Sequence, residues 1–137
     1  MEKGSMKEFI YPRPERIIEY NILVLTKVKV KKADRSEVLS RRKLDAALES
    51  VQEHKGDLYN KAALLLQGLV KAHAFASGNR RTAFLATKDF ITENNGTFAI
   101  QDDENNARVL QGVREGFYTS EDLVGWFKTG KIHEFKR

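Results

Sequence analysis

Residues 71–82 read KAHAFASGNRRT, from Lys71 to Thr82. His73 closes an apolar helical run, a turn carrying Phe75 follows, and Gly78-Asn79-Arg80-Arg81 opens a second apolar helix. The rest of the chain reads as support for these residues. A helix N-terminus has unpaired N–H groups and partial positive charge, and so favours acidic side chains, yet this one starts with two arginines. The arrangement makes sense if an anion sits there. Backbone amides, the Asn79 amide and two guanidinium groups together suit a phosphate, and Gly78 lets the backbone come close. His73, six positions before Asn79 across a tight turn, is in reach to act as a base beside that anion. Taken singly, each residue has a bland reading, since exposed arginines are usually solvated and short motifs recur by chance.

Working outward, Asp57 caps the helix that leads into the turn. Leu58, Ala62, Leu65, Leu69 and His73 form one stripe and Tyr59, Ala63, Leu66 and Val70 a second, leaving Asn60, Gln67 and Lys71 as a thin polar strip. A helix so widely apolar is surrounded by others. Phe75 reads as a core anchor of the turn. The following helix spans about Asn79 to Asn94, with Ala83, Phe84, Thr87, Phe90 and Ile91 inward and Asn95-Gly96 as its stop.

Towards the N-terminus, Tyr11-Pro12-Arg13-Pro14 is an extended entry, and Pro14-Glu15 starts a helix. Ile17, Ile18, Leu23, Val24, Leu25 and Val28 give it an apolar face to about Val30, although LVLTKVKV also alternates like a strand. Lys31 to Ser40 is a polar connection. Ser40 caps a helix carrying Leu44, Ala47, Leu48 and Val51, which stops near Lys55-Gly56. Towards the C-terminus, Thr97 to Ile100 is extended, and Asn105 to Gly116 presents Ala107, Val109, Leu110 and Val113 on one helical face. Thr119-Ser120-Glu121-Asp122 is a cap signature for a last helix with Leu123, Val124, Trp126 and Phe127. Residues 1–6 are set aside as a leader or cloning remnant, and 131–137 read as a fraying tail. The result is one compact all-α domain over 1–137, with about six helices.

The chain has 137 residues, 41% of them hydrophobic, enough for a single core. With no cysteine, disulfides and thiolate metal sites are excluded. No apolar run approaches a membrane span and the start lacks a signal-peptide core, so a soluble, cytoplasmic protein is expected. The net charge of +5, from 24 basic and 19 acidic residues, selects no partner class by itself. Lys27, Lys29, Lys31 and Lys32 interleave with Val28 and Val30 and read as a solvated face, which makes little case for DNA binding. Zinc-ligand spacing, a G-x-S-x-G elbow and a P-loop are all lacking.

His73, Phe75, Gly78, Asn79 and Arg81 stand at the spacing of the Fic/Doc signature, H-x-F-x-[DE]-[GA]-N-[GK]-R. The surrounding LLLQGLVKAHAFASGNRRTAFLATKDFITENNG resembles the Doc branch, the toxins of death-on-curing modules, and VLSRRKLDAALESVQ resembles the segment before the family's central helix. The likeness runs from about Val38 to Gly96. It implies a helical Fic/Doc domain with a small β-hairpin flap, placed here within Lys31 to Ser40, that overlies the site and aligns the target segment. It also implies His73 as the base that takes a hydroxyl proton, Gly78, Asn79, Arg80 and Arg81 as the phosphate-binding set, and ATP with Mg2+ as the donor.

The sequence departs from that pattern in two places. The acidic residue that binds magnesium in the family is here Ser77, a far poorer ligand for a hard cation, which leaves the metal site unassigned. Arg80 replaces the small glycine of adenylylating members, where Doc proteins carry lysine; in Doc that cation goes with reversed nucleotide binding that presents the γ-phosphate. Phe84 stands where adenylylating members tend to have another arginine. The resemblance therefore implies transfer of the ATP γ-phosphate to a hydroxyl of a translation-machinery protein such as elongation factor Tu. The alternatives are a catalytically degenerate binding or regulatory protein and a Fic-type AMP transferase. The inhibitory pattern [ST]-x-x-x-E-[GN] does not occur: Glu93, Glu104 and Glu115 are preceded at the fourth position by Asp89, Ile100 and Gln111. Restraint is expected from a separate antitoxin chain.

Overall fold

The computed structural model describes residues 8–27 and 36–136. Six helices follow in order: α1 (Pro14–Lys27), α2 (Arg41–Glu53), α3 (Leu58–Ala72), α4 (Asn79–Glu93), α5 (Asn106–Arg114) and α6 (Ser120–Thr129). Among the described residues there is no strand, and the all-α reading holds. None of these helices is long and apolar enough to cross a membrane. The readings of residues 1–6, of Val28 to Val30, of Lys29, Lys31 and Lys32, and of most of the flap lie outside the described residues.

Helix α3 is the central post, packed against α2, α4, α5 and α6, while α1 lies across α4 and α2. Both expected stripes are buried along most of their length, Ala62, Leu65 and Leu69 on one and Ala63, Leu66 and Val70 on the other, while Leu58 and Tyr59 are half-buried and His73 at the end is exposed. Removing a leucine such as Leu65 or Leu66 fully from water contributes about 2 kcal/mol each, and the two alanines let neighbouring helices approach. The caps are local and formed where expected. Ser40 Oγ accepts from Lys43 N, Asp57 Oδ1 accepts from Asn60 N, and Thr119 and Asp122 form a full capping box. At the other end of α4, Asn95 takes a left-handed conformation (φ 66°) and Gly96 N donates to Ile91 O.

Several expectations are corrected. Leu23, expected on the buried face of α1, is 44% exposed; the buried residues are Ile17, Tyr20, Asn21 and Leu25, so the inward face admits a polar residue. Ala107 is exposed because it lines an open cleft. Residues 131–136 form no helix but do not fray as a tail: Phe135 is 3% exposed, Tyr118 Oη donates to His133 O, and Arg108 Nε donates to Phe135 O. Residues 37–39, read as polar loop, pair antiparallel with the motif turn. Val38 bridges Phe75, Ala76 N donates to Glu37 O at 2.9 Å, and Leu39 N donates to Ala74 O at 2.7 Å.

Lys61 lies outside the polar strip of α3 and is 4% exposed. Its ammonium donates to the carbonyls of Val51, Gln52 and His54, which the end of α2 leaves unpaired, and lies 5.6 and 5.3 Å from the ring centres of Phe9 and Tyr11. One side chain thus fastens the α2–α3 corner and the extended N-terminal entry.

Candidate active site

The turn 73–78 is built from both sides. His73 ends α3 in a left-handed conformation (φ 48°, ψ 49°), which turns its imidazole out of the buried stripe into solvent. Phe75 goes the opposite way, into the core. Gly78, also left-handed (φ 75°), starts α4, and a Cβ there would meet Leu25 Cδ2 at 3.1 Å and Asn21 Nδ2 at 3.3 Å. Glycine is needed both for the dihedral and for the close approach of α1.

Asn79 holds this turn with its side chain. Oδ1 accepts from Phe75 N at 3.0 Å and Nδ2 donates to Phe75 O at 2.8 Å. Those two bonds fix which way the amide faces, and Nδ2 then lies 3.3 Å from His73 Nδ1. Because an amide nitrogen only donates, neutral His73 carries its lone pair on Nδ1 and its proton on Nε2. The sequence put the Asn79 amide on a phosphate. In the structure that amide is bonded to Phe75 and lies against His73.

Behind the turn lies Asn21, fully buried, which sequence reading missed. Its Nδ2 donates to Ser77 O at 2.8 Å and Thr82 Oγ1 at 3.1 Å, and its Oδ1 accepts from Ser36 Oγ at 2.7 Å. One amide ties α1, Ser36 of the segment before α2, the Ser77 turn and α4 together. A signal was present: Ile17, Asn21 and Leu25 repeat every four residues, so a polar side chain sits in register with the apolar face.

These elements surround a cleft of about 350 Å3 lined by His73, Ser77, Gly78, Asn79, Arg80 and Arg81, with Leu25, Val70, Ala76, Ala107, Leu110 and Arg114. It brings every candidate residue from the sequence into one place and adds Arg114. No side chain caps the N-terminus of α4 and its first turn has no acid, so the partial positive charge there is uncompensated. Arg80, Arg81 and Arg114 are exposed, and among the described residues no carboxylate pairs with them. The cleft is a cationic pocket with an imidazole on its wall. His54 and His133 lie elsewhere, the latter 3.3 Å from Asp122.

The lining suits an anion and not a resident hard cation. None of its described lining residues is Asp or Glu, Ser77 offers only a hydroxyl, and no cluster of three metal-ligating side chains occurs among the described residues. Magnesium takes carboxylate, phosphate and water oxygens, so this donor set does not fit it.

No curated protein matches the chain. A family model described as Fic/DOC family matches residues 2–91, which takes in the N-terminal residues set aside above, the buried Asn21 and the whole of the motif turn. That match covers well over half of the sequence and ends in α4, with α5 and α6 beyond it. The chain belongs to the Fic/DOC family.

Proposed function

We propose that the protein acts as a Doc-like toxin, moving the γ-phosphate of ATP onto a hydroxyl of a protein of the translation machinery. The observation that supports this reading is the placing of Arg80 beside Arg81 in the cleft that His73 borders, where a second cation favours a terminal phosphate over the small residue that accommodates adenylyl transfer. The hydroxyl oxygen attacks the γ-phosphorus, the bond to the β-phosphate oxygen breaks, and ADP leaves. The hydroxyl proton passes to the lone pair of His73 at Nδ1, where the incoming hydroxyl displaces the long Asn79 contact. The imidazolium then returns the proton to water. Arg80, Arg81 and the first amides of α4 hold and neutralise the phosphates, since phosphoryl transfer depends mainly on positioning and electrostatics. The paired segment 37–39 is the natural edge for an extended target segment. The same reading places a separate antitoxin chain as the restraint and an elongation factor Tu-like protein as the target, in the cytoplasm.

The lack of a carboxylate among the described lining residues favours a second reading, a family member that binds its ligand without catalysis. A cell lysate incubated with the protein or its His73→Ala variant, and with ATP labelled at the γ- or α-phosphate, separates the possibilities. A His73-dependent γ-labelled protein band supports the kinase, and an α-labelled band supports AMP transfer. No band, with ATP still bound, supports the non-catalytic protein.

A further inference from the structure

Arg114 belongs to none of the motifs above. It is the last residue of α5, and Ala107, Leu110 and Arg114 fall at intervals of three and four, on one face of that helix. All three line the same cleft as the motif turn. The small Ala107 keeps this wall low, and Arg114 completes a set of three guanidinium groups drawn from two helices. The hydroxyl of Ser77, half-buried at the position the family reserves for an acid, makes no hydrogen bond among the described residues.

We propose that the cleft neutralises a nucleotide polyphosphate with Arg80, Arg81 and Arg114 in place of a protein-anchored divalent cation, so that ATP binding does not require magnesium. The inference rests on the nucleotide reading above and deepens it. Arginines replace a metal in this role because each guanidinium can donate two parallel hydrogen bonds to phosphate oxygens while supplying a full positive charge. Three such charges on a cleft of about 350 Å3 also repel a dication that has no protein carboxylate to hold it. The uncapped start of α4 adds further partial positive charge. Arg114 is a binding residue in this scheme and is not assigned to proton transfer.

The test is titration calorimetry of the whole chain with ATP and with AMP, in EDTA and in excess magnesium, with melting curves confirming that each variant folds. The expected ATP affinity in EDTA is within about threefold of that in magnesium, whereas a metal-anchored site would lose tenfold or more. Arg114→Ala should weaken ATP about tenfold and AMP by less than about threefold, because only the polyphosphate reaches the third cation. Arg114→Lys should recover part of the loss, keeping charge without the fork. Ser77→Asp should make ATP binding magnesium-dependent, by restoring a carboxylate beside the arginines. ATP binding that appears only with magnesium overturns the inference and leaves the nucleotide reading standing. Unchanged ATP affinity in Arg114→Ala overturns the role of the third arginine. No binding of ATP in either buffer overturns both this inference and the nucleotide reading.

Discussion

Asn21 and Ser77 lie 56 positions apart in sequence, and the amide of the first donates to the carbonyl of the second at 2.8 Å. This bond sets the turn of the cleft against α1. Asn21→Ala leaves the buried Thr82 hydroxyl and the half-buried Ser77 carbonyl and Ser36 hydroxyl without their partner. The expected loss is about 2–3 kcal/mol, the usual range for stranding buried polar groups. Urea denaturation reads it directly. A change below about 0.5 kcal/mol, the range of ordinary surface substitutions, would show that the turn is held without Asn21.

Asn79→Ala tests whether the amide positions the histidine. Phe75 N and O lose their clamp and His73 loses the neighbour at Nδ1. A catalytic group displaced by about 1 Å can cost on the order of 100-fold in rate. The expected result is a large fall in kcat for phosphoryl transfer with little change in KM for ATP, because the backbone amide of residue 79 remains. An equal loss in ATP affinity would instead assign the side chain to the phosphate.

Gly78→Ala and Gly116→Ala form a matched pair. Both glycines are left-handed at φ 75°, but a Cβ at position 78 meets Leu25, Asn21 and Val24, and one at 116 meets nothing within 4 Å. Gly116→Ala should therefore cost only the dihedral strain, about 1 kcal/mol. Gly78→Ala should cost more and also lower ATP affinity, since α1 must move away from the turn. Thermal melts and ATP titration of the two variants separate strain from packing.

The helices were legible in the sequence because their signals are local. Ser40, Asp57 and Thr119 announce helix starts by side-chain chemistry, and the α3 stripes follow from spacing alone. The motif turn was legible as a cluster for the same reason. The register of Asn21 with Ile17 and Leu25 marked it as facing inward but not what it binds, since its partners lie dozens of positions away, and Arg114 looks like an ordinary polar residue within its own helix although it lines the same cleft. Lys61 was missed because a buried lysine is stabilised by carbonyls of another element, which no window of sequence displays. The edge pairing of 37–39 was hidden because so short a segment shows no alternation. The C-terminal tail was misread because mostly charged residues surround its two anchors, Phe135 and the half-buried Ile132.

Phe135→Ala tests that anchor. The ring packs with Phe117 at 5.1 Å between centres, under the Arg108 guanidinium, and is almost fully buried. Truncation should cost about 3 kcal/mol, in the range of other buried phenylalanines. Hydrogen exchange should show loss of protection centred on α5 and the 117–119 turn. A melt unchanged from the parent would return residues 131–136 to the status of a frayed end.

Tyr20 gives the chain an alkaline limit. Its hydroxyl donates to Asp89 Oδ2 at 2.7 Å and accepts from Arg16 Nε at 3.2 Å. Burial, reinforced by the bond to Asp89, pushes the phenol up to about 12 from an ordinary 10.0. Below the ordinary value the phenol is protonated in folded and unfolded chains alike, and its contribution to stability is complete. Above it the unfolded chain releases the proton first, so stability falls as pH rises and the contribution is lost through about 12. Tyr20→Phe removes this proton together with the hydrogen bond, and should be about 1 kcal/mol less stable at neutral pH. The gap between the two proteins should narrow as pH rises from 10.0 towards about 12, while groups common to both proteins cancel in the difference. Urea midpoints across that range measure the gap. A gap that stays constant means that the Tyr20 hydroxyl is not held by Asp89, and that α1 is fixed to α4 by Asn21, the Arg16–Asp89 pair and packing.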